Sequence, residues 1–381
     1  MLEEFYYKSN NHYFHHSVQM PMDSKATIFI TGSTGQLGSF ILAELLGFLS
    51  DEAHEGPILC AKRASSSMHQ ISMTQDFLNL DSEHFYSKQN LHWIDCDLGD
   101  GHFCYDAITD YCSVHGIALP QEIIHAAAAI NISPFTTMVN TSNEQLTDQM
   151  LLLGELLKIK HFTHISSIAV MGGTVPLGEE EIIGPAHFYP NRSDAFLSNY
   201  ALGKIASELH VWKAQADGMS ISIIRPGVIL GIGPKEKSPL ELWARIHDGR
   251  LPFATDGCTG IVDVRDVASI TVAVHRNRVI GPVIAVADNT PHYVLLEKIG
   301  MAIGSTKKLK RLNAEPWLDR MRDFAFLSRV PFIGKWFTPQ MRIMLFSKIQ
   351  YDGASGAELH RYRATEDSIS QFGHYLRNVW T

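Results

Sequence analysis

The chain has 381 residues, of which 45% are hydrophobic and 19% charged, and its formal net charge is −8. This composition supports a large buried core in one domain or two closely associated domains, and it excludes a disordered protein. Lysine and arginine are scattered along the chain, which argues against a nucleic-acid partner. The five cysteines include no CxxC pair, a pattern that favours reduced thiols and a cytoplasmic location.

Residues 1–24 open with acidic residues and lack the apolar core of a signal peptide, so we interpret them as an N-terminal extension on the surface. His12, His15 and His16 have no carboxylate or thiol with ligand spacing beside them, and no metal site is predicted. No apolar run approaches the ~18 residues that a membrane-spanning helix needs.

Residues 27–46, TIFITGSTGQLGSFILAELL, predict a strand, a tight turn and a helix. An apolar, β-branched run leads into Gly32, Gly35 and Gly38, after which apolar residues resume with helical spacing. A helix that begins behind a glycine turn presents free backbone N–H groups to an anion. A dinucleotide site is therefore favoured over a simple tight turn.

Strand-like runs alternate with helical patterns through the first two thirds of the chain. The runs are TIFITG, PILCAKR, LHWIDCDL, EIIHAAAAI, HFTHISSIAV and ISIIRPGVILG, and helical spacing falls over 36–49, 103–116, 142–159 and 199–216. This alternation predicts a doubly wound α/β fold of the Rossmann type, with a parallel sheet covered by helices on both faces. We assign 25–230 to this domain. Residues 231–381 mostly form a smaller C-terminal substrate lobe, with 261–290 returning to the sheet.

A serine, a tyrosine and a lysine follow in an order that suits carbonyl chemistry. HISSIAVMGG ends a predicted strand at Ser166 and Ser167, and NYALGKIASEL places Tyr200 and Lys204 one helical turn apart on one face. A lysine ammonium beside a tyrosine lowers the pKa of the phenol. A serine hydroxyl at the strand end stabilises a carbonyl oxygen that gains negative charge. Tyr-x-x-x-Lys also occurs by chance on surface helices, but its place after a glycine turn and a serine favours a catalytic set.

Eight motifs together resemble the extended short-chain dehydrogenases/reductases, the NAD-dependent epimerase/dehydratase superfamily. They are TGSTGQLGS, DCDLGD, IIHAAA, MVNTSNEQL, ISSIAVMGG, YALGK, IIRPGVILG and IVDVRDVA. The likeness is greatest to the dihydroflavonol reductase, 3β-hydroxysteroid dehydrogenase and thioester reductase branches. The chain departs from the family at Met171, where an aromatic residue is usual, and in NTSNE, which lacks the common Asn-Val-x-Gly-Thr.

The resemblance implies a role for each matching residue. Tyr200 is implied as the general acid of carbonyl reduction, Lys204 as the residue that lowers its pKa and binds the nicotinamide ribose, and Ser167 as the residue that orients the substrate carbonyl. Asn140 matches the asparagine of the helix behind them. The other implied cofactor-binding residues are Gly32, Thr34, Gly35, Gln36, Leu37 and Gly38 in the turn, Asp97 and Leu98 beside the adenine, Ala126 and Ala127 after the fourth strand, and Pro226, Gly227 and Val228 near the carboxamide.

The second strand ends in basic rather than acidic residues. PILCAKR closes with Lys62 and Arg63, serines follow, and no Asp or Glu appears before residue 76. An acidic residue here would bind the ribose 2′-hydroxyl of NAD, whereas the planar fork of arginine suits a 2′-phosphate. NADP(H) is therefore favoured over NAD(H), and a solvated strand end is the alternative.

The substrate is the least determined part of the sequence. The aromatic and basic stretch 315–346 is interpreted as a helix packed on the second lobe. One alternative is that it forms a wall for a hydrophobic substrate. The other is that it forms a patch that docks on a membrane surface or on a second subunit, as in a homodimer. With the resemblance, an apolar ketone, aldehyde or acyl substrate is expected. Two other hypotheses stay open: an epimerase or dehydratase that retains NAD, and a non-catalytic cofactor-sensing scaffold. Lys62 and Arg63 count against the first, and the Ser167, Tyr200 and Lys204 set counts against the second.

Overall fold

The predicted alternation of strands and helices is present in a computed structural model of the chain. The structure describes residues 23–81, 85, 88, 90–128, 141–172, 180–185, 187, 198–235, 240–251, 253–312 and 345–380. Asn140 and most of the stretches 1–24 and 315–346 lie outside these residues, so the predictions for them are not addressed by the structure.

A seven-stranded parallel sheet forms the centre of the molecule. Its strands are β1 (Ile28–Thr31), β2 (Ile58–Lys62), β3 (Leu91–Asp95), β4 (Glu122–His125), β5 (His161–Ile165), β7 (Ile221–Pro226) and β11 (Gly281–Ala285). They lie in the order β11-β7-β5-β4-β1-β2-β3, and every neighbouring pair is parallel. The order reverses between β1 and β4, which opens a crevice at the carboxyl ends of these strands. The predicted doubly wound α/β fold is confirmed.

Helices cover both faces of the sheet. They are α1 (Gln36–Leu45), α2 (His69–Phe77), α3 (Gly101–His115), α4 (Thr141–Leu157), α5 (Asn199–Ala216), α6 (Leu240–His247), α7 (Val264–Asn277), α8 (His292–Ala302), α9 (Ala354–Ala357) and α10 (Thr365–Trp380). Ile28 and Ile30 belong to a buried cluster with residues of α1 and α7, whereas Phe29 belongs to one with residues of α3, α4 and α5. Because side chains alternate between faces, a strand covered on both sides is apolar at every position.

Short strands outside the central sheet build the second part of the structure. They are β6 (Glu180–Ile183), β8 (Val228–Leu230), β9 (Phe253–Thr255), β10 (Cys258–Asp263), β12 (Asp288–Pro291), β13 (Lys310–Leu312) and β14 (Lys348–Tyr351). They pair as β12-β10-β8, β13-β9 and β14-β6. After β10 the chain returns through α7 to the central sheet, where β11 pairs with β7.

The helix α10 connects the two parts of the chain. It packs against α8, and its Phe372 ring lies 5.2 Å from the ring of Phe77 in α2. The Tyr375 hydroxyl donates a hydrogen bond to the Met73 carbonyl oxygen at 3.2 Å. Among the described residues, no helix combines the length and the apolar character needed to cross a membrane.

Candidate active site

The glycine turn after β1 has the geometry of a phosphate cradle. Gly32 has a φ of +74°, and a Cβ atom there would lie 2.6 Å from the Ala127 nitrogen. A Cβ atom at Gly38 would lie 2.0 Å from the Gly32 oxygen, so only glycine lets α1 approach the end of β1 this closely. Gly35 is the N-cap residue of α1 and has no side chain to cap it, and the first N–H groups of a helix have no partner within it. These residues therefore fit the pyrophosphate of a dinucleotide.

The side chains of Gln36 and Leu37, in the same turn, contact other parts of the protein. The Gln36 amide donates to the Ile232 carbonyl oxygen at 3.2 Å, and the Leu37 side chain packs against the buried core. Thr34 is half-buried in the turn. Gln36 and Leu37 are thus available to a cofactor through their backbone.

The end of β4 is fixed beside this turn. The Ala127 N–H donates to Thr31 Oγ1 at 3.2 Å, and the Ala126 N–H donates to the Thr31 carbonyl oxygen at 3.3 Å. Thr31 Oγ1 is in turn 2.8 Å from His125 Nδ1. Ala126 and Ala127 therefore border the cradle on a rigid strand end.

The loop after β3 is shaped by Asp97. Its carboxylate accepts a hydrogen bond from the Gly99 N–H at 3.1 Å, while the residue stays exposed. Leu98 packs half-buried against the core under α3. The two residues follow β3 at the carboxyl edge of the sheet, where β3 is paired with β2.

The two basic residues at the end of β2 differ in their surroundings. The Lys62 ammonium lies 2.6 Å from a carboxylate oxygen of Asp95, which sits opposite it in the strand register. Arg63 is exposed, and its backbone N–H donates to Ser66 Oγ at 3.0 Å. Its guanidinium has no hydrogen-bonding partner among the described residues.

The residues after β7 form a tight junction at the same edge. The Gly227 N–H donates to the Ala285 carbonyl oxygen at 3.0 Å, and a Cβ atom at Gly227 would lie 2.6 Å from the Gly260 oxygen. Pro226 before it is at the buried end of β7, and Val228 after it is 37% exposed. This places an accessible apolar side chain beside the crevice.

The structure brings Ser167 and Tyr200 together. Ser167 follows β5, and its Oγ accepts a hydrogen bond from the Ala169 N–H at 3.1 Å at the start of a short 3₁₀ helix. Tyr200 lies in the first turn of α5. Burial raises the pKa of Tyr200, and a side-chain hydrogen bond with Ser167 offsets part of this rise.

Lys204 lies one helical turn after Tyr200 on α5 and contacts the end of β5. Its ammonium is buried and donates to the Ile165 carbonyl oxygen at 2.8 Å. Burial lowers the pKa of Lys204 to about 8, and the Glu208 carboxylate opposes that change. Burial raises the pKa of Tyr200, and the role of Lys204 in lowering that pKa stays a prediction from the sequence.

Two histidines near Lys204 are buried, and burial disfavours their protonated forms. Burial lowers the pKa of His125 to about 3, and burial also lowers the pKa of His164; in both cases Lys204 contributes. Their rings stack with centroids 5.7 Å apart. The lysine is thus placed next to neutral imidazoles.

Sequence reasoning missed a buried ion pair directly behind this set. Arg225 of β7 and Glu208 of α5 are 0% exposed, with Arg225 Nη2 2.7 Å from Glu208 Oε2. Ser166 Oγ also bonds the Glu208 carboxylate. The available signal was an arginine inside the apolar run IIRP, because a buried charge requires a partner.

Comparison with known proteins gives the family. The sequence model of an NAD-binding family described as "Male sterility protein" matches residues 30–276. The aldehyde reductase lnbA of Aspergillus flavus is 25% identical over 224 residues, which are 56% of this chain and 21% of that protein. This chain therefore spans about a fifth of the length of that relative.

Solved structures share the fold over most of the chain. The crystal structure of gox2253 superposes with a TM-score of 0.69 at 16% identity, covering 93% of this chain and 99% of that one. The terminal R domain of the myxalamid PKS-NRPS pathway gives 0.69 at 16% identity, covering 100% and 99%. The enzyme WbmH of Bordetella bronchiseptica, solved with NAD+, gives 0.64 at 16% identity, covering 94% and 100%. The chain belongs to the NAD-binding family described as male sterility protein, and it shares the fold of these solved structures.

Proposed function

We propose that the chain is an NADP(H)-dependent reductase of an apolar aldehyde, ketone or acyl substrate, with Tyr200 as the proton donor. The observation that carries this proposal is the placement of Ser167 directly after β5 and of Tyr200 in the first turn of α5, where Ser167 acts to lower the pKa of the buried phenol. This arrangement supports a site in which two hydroxyl groups lie at the carboxyl edge of the sheet. Two such donors can hold one carbonyl oxygen.

The residues of the chain would handle the oxygen and the proton. A bound nicotinamide supplies the hydride that reduces the carbonyl carbon. The Ser167 and Tyr200 hydroxyls donate to the carbonyl oxygen as it gains negative charge, and Tyr200 then transfers its proton to that oxygen. The phenol carries this proton at neutral pH because the ordinary pKa of tyrosine is about 10, and burial raises the pKa of Tyr200 above its ordinary value. The ammonium of Lys204 would support the phenolate that remains.

The preference for NADP(H) rests on Arg63. Asp95 already pairs with Lys62, whereas the Arg63 guanidinium is exposed at the end of β2 and free to bind. Arginine matches the geometry of a phosphate through paired N–H donors. The 2′-phosphate of NADP would therefore bind to Arg63 rather than to Lys62.

The substrate class is supported by two similarities. The Aspergillus flavus relative is named an aldehyde reductase, and the R domain of the myxalamid pathway shares the fold over the whole chain. The resemblance to the dihydroflavonol, steroid and thioester reductase branches adds a preference for apolar carbonyl groups. Homodimer formation and contact with a membrane surface remain predictions from the sequence.

The test begins with the thermal stability of the purified protein in the presence of NADP(H) or NAD(H). A ligand at about 100 times its dissociation constant stabilises the folded state by about 2.7 kcal/mol, which shifts the melting temperature measurably. We expect the larger shift with NADP(H), and we expect Arg63→Ala to reduce that shift selectively. The matched control is Arg276→Ala, which removes an equal charge at the other edge of the sheet, where Arg276 contacts Glu52.

Other results would favour the other hypotheses. A preference for NAD, or NAD that stays bound through purification, would indicate an epimerase or dehydratase. No response to any dinucleotide would indicate a scaffold. If NADP(H) binds as expected, oxidation of NADPH with a panel of aldehydes, ketones and acyl thioesters of increasing chain length then tests the preference for apolar substrates.

A further inference from the structure

A buried cluster of charges lies next to the proposed catalytic set. Glu208 and Arg225 are joined by two hydrogen bonds, from Arg225 Nε to Glu208 Oε1 at 3.0 Å and from Nη2 to Oε2 at 2.7 Å. Both side chains are 0% exposed. Such paired, charge-assisted bonds fix the relative orientation of the two groups more firmly than a single bond does.

Glu208 connects the helix and the strand that carry the catalytic set. It lies one helical turn after Lys204 on α5, so the two side chains share a face. Its carboxylate also accepts a hydrogen bond from Ser166 Oγ, and Ser166 directly precedes Ser167. Trp212 Nε1 lies 3.4 Å from the second carboxylate oxygen. One carboxylate thus holds α5 against the end of β5.

Arg225 extends the same network to β7, the strand next to β5 in the sheet. It directly precedes Pro226, where the nicotinamide carboxamide is expected. Its Nη1 donates to the His187 carbonyl oxygen at 3.1 Å and to the Pro185 carbonyl oxygen at 3.4 Å. The guanidinium therefore joins β7 to the segment that follows β6.

Stability alone is a weak reason for such a pair. Removing two charges from water costs free energy, and well-packed apolar residues of similar volume often stabilise a protein as well or better. Apolar residues, however, do not fix the relative orientation of the elements that they join. The Glu208–Arg225 pair fixes α5, β5 and β7 in one register through bonds of defined geometry.

We propose that Glu208 and Arg225 are positioning residues, which hold Lys204 on α5, Ser167 after β5 and Pro226 after β7 in the arrangement that carbonyl reduction requires. This inference rests on the proposed function and assigns to that site a second set of residues. Neither residue needs to touch the substrate or the cofactor.

The charged groups around Lys204 make its pKa a measurement that distinguishes positioning from a purely structural role. Glu208 faces the lysine from its own helix, His125 from β4 and His164 from β5, and Arg225 lies behind Glu208 on β7. Only Glu208 among them raises the pKa of Lys204. Replacing the carboxylate by an amide is therefore expected to lower the pKa of Lys204 further.

The experiment compares the wild type with Glu208→Gln and with the double variant Glu208→Leu/Arg225→Met. NADPH-dependent turnover is measured from pH 6 to about 10, the range in which a lysine amine titrates, and cofactor affinity is measured separately. For Glu208→Gln we expect kcat to fall about 100-fold, since small displacements of catalytic groups have effects of this size. The KM for NADPH should change little, and the alkaline limb of the kcat profile should move to lower pH.

The second readout is the pKa of Lys204 itself. It is obtained without turnover from the 13Cε chemical shift of lysine-labelled protein, with Lys204→Met to assign the signal. The pKa should be lower in Glu208→Gln than in the wild type. The matched control is Glu122→Gln, which alters another buried carboxylate paired with an arginine, at 0% exposure; it should change stability but neither the Lys204 pKa nor the kcat profile.

The double variant separates positioning from simple stability. Two uncharged side chains should restore the melting temperature that Glu208→Gln loses, while kcat stays low. Recovery of both stability and kcat, or an unchanged Lys204 pKa in Glu208→Gln, would overturn the inference. A wild type that binds NADPH but reduces no carbonyl would refute the proposed function instead, and the Lys204 titration would still decide whether Glu208 acts on the lysine.

Discussion

The two edges of the central sheet each bury a carboxylate with an arginine, and the two pairs differ in what they touch. At the amino edge, Glu122 begins β4 and lies 2.5 Å from Arg278 and 2.9 Å from His275, at the end of α7. At the carboxyl edge, Glu208 pairs with Arg225. The carboxylates of both pairs are fully buried.

The residues around the amino-edge pair lie outside the proposed site. His161 beside it bonds the hydroxyls of Ser220 and Ser222, each at 2.9 Å, and none of these residues belongs to the proposed site. Ligands of doubly wound sheets bind in the crevice outside the carboxyl ends of the strands. The same ion-pair chemistry therefore anchors a helix at one edge and, in our proposal, aligns a catalytic set at the other.

The largest expected effect is a loss of turnover at the carboxyl edge of the sheet. Tyr200→Phe removes the proposed proton donor and keeps the ring, so we expect kcat to fall by about 1,000-fold, as is typical for the loss of a general acid. The thermal shift with NADPH should remain, because the glycine turn is untouched. Turnover close to that of the wild type would show that another group donates the proton.

An intermediate effect is expected at the amino edge. Glu122→Gln leaves Arg278 without its counter-charge, and breaking a buried pair from one side costs about 3 kcal/mol of unfolding free energy. Urea unfolding measures this loss, and turnover per folded molecule should stay at the wild-type value. A loss of turnover in the folded variant would mean that the two edges are coupled.

The smallest expected effect concerns pH. Burial alone would raise the pKa of Glu122, but His275 and Arg278 outweigh it and hold that pKa below the ordinary value of 4.5. A carboxyl group with a lowered pKa in the folded state stabilises the protein above its unfolded pKa, and this contribution is lost as pH falls through the folded value. The wild type should therefore lose its stability advantage over Glu122→Gln as pH falls below 4.5. Parallel stability curves for the two proteins would contradict this assignment.

Much of the fold could be predicted because its signals are local. The helical spacing over 199–216 corresponds to α5, and the apolar runs correspond to the central strands. The pattern over 36–49 continued past the end of α1 at Leu45, since Gly47 turns the chain with a φ of +78°. Apolar residues after a helix end cannot be distinguished by periodicity from residues within it.

The parts of the site that could not be predicted depend on contacts between distant residues. Lys62 and Asp95 meet because the register of β2 and β3 places them opposite each other, and a single sequence does not reveal that register. The raised pKa of Tyr200 follows from burial, which no local pattern around Tyr200 indicates. Glu208 and Arg225 are paired across two elements, so the sequence shows only two charges that each need a partner.

The contacts of α10 bear on how the chain is made. The hydrogen bond from Tyr375 to Met73 joins residues 302 positions apart, and Phe372 covers Phe77 at the same place. Contacts at such a separation form late, because a long loop must close before they can contribute. During synthesis, the side of α2 that contacts α10 therefore stays exposed until α10 has been made.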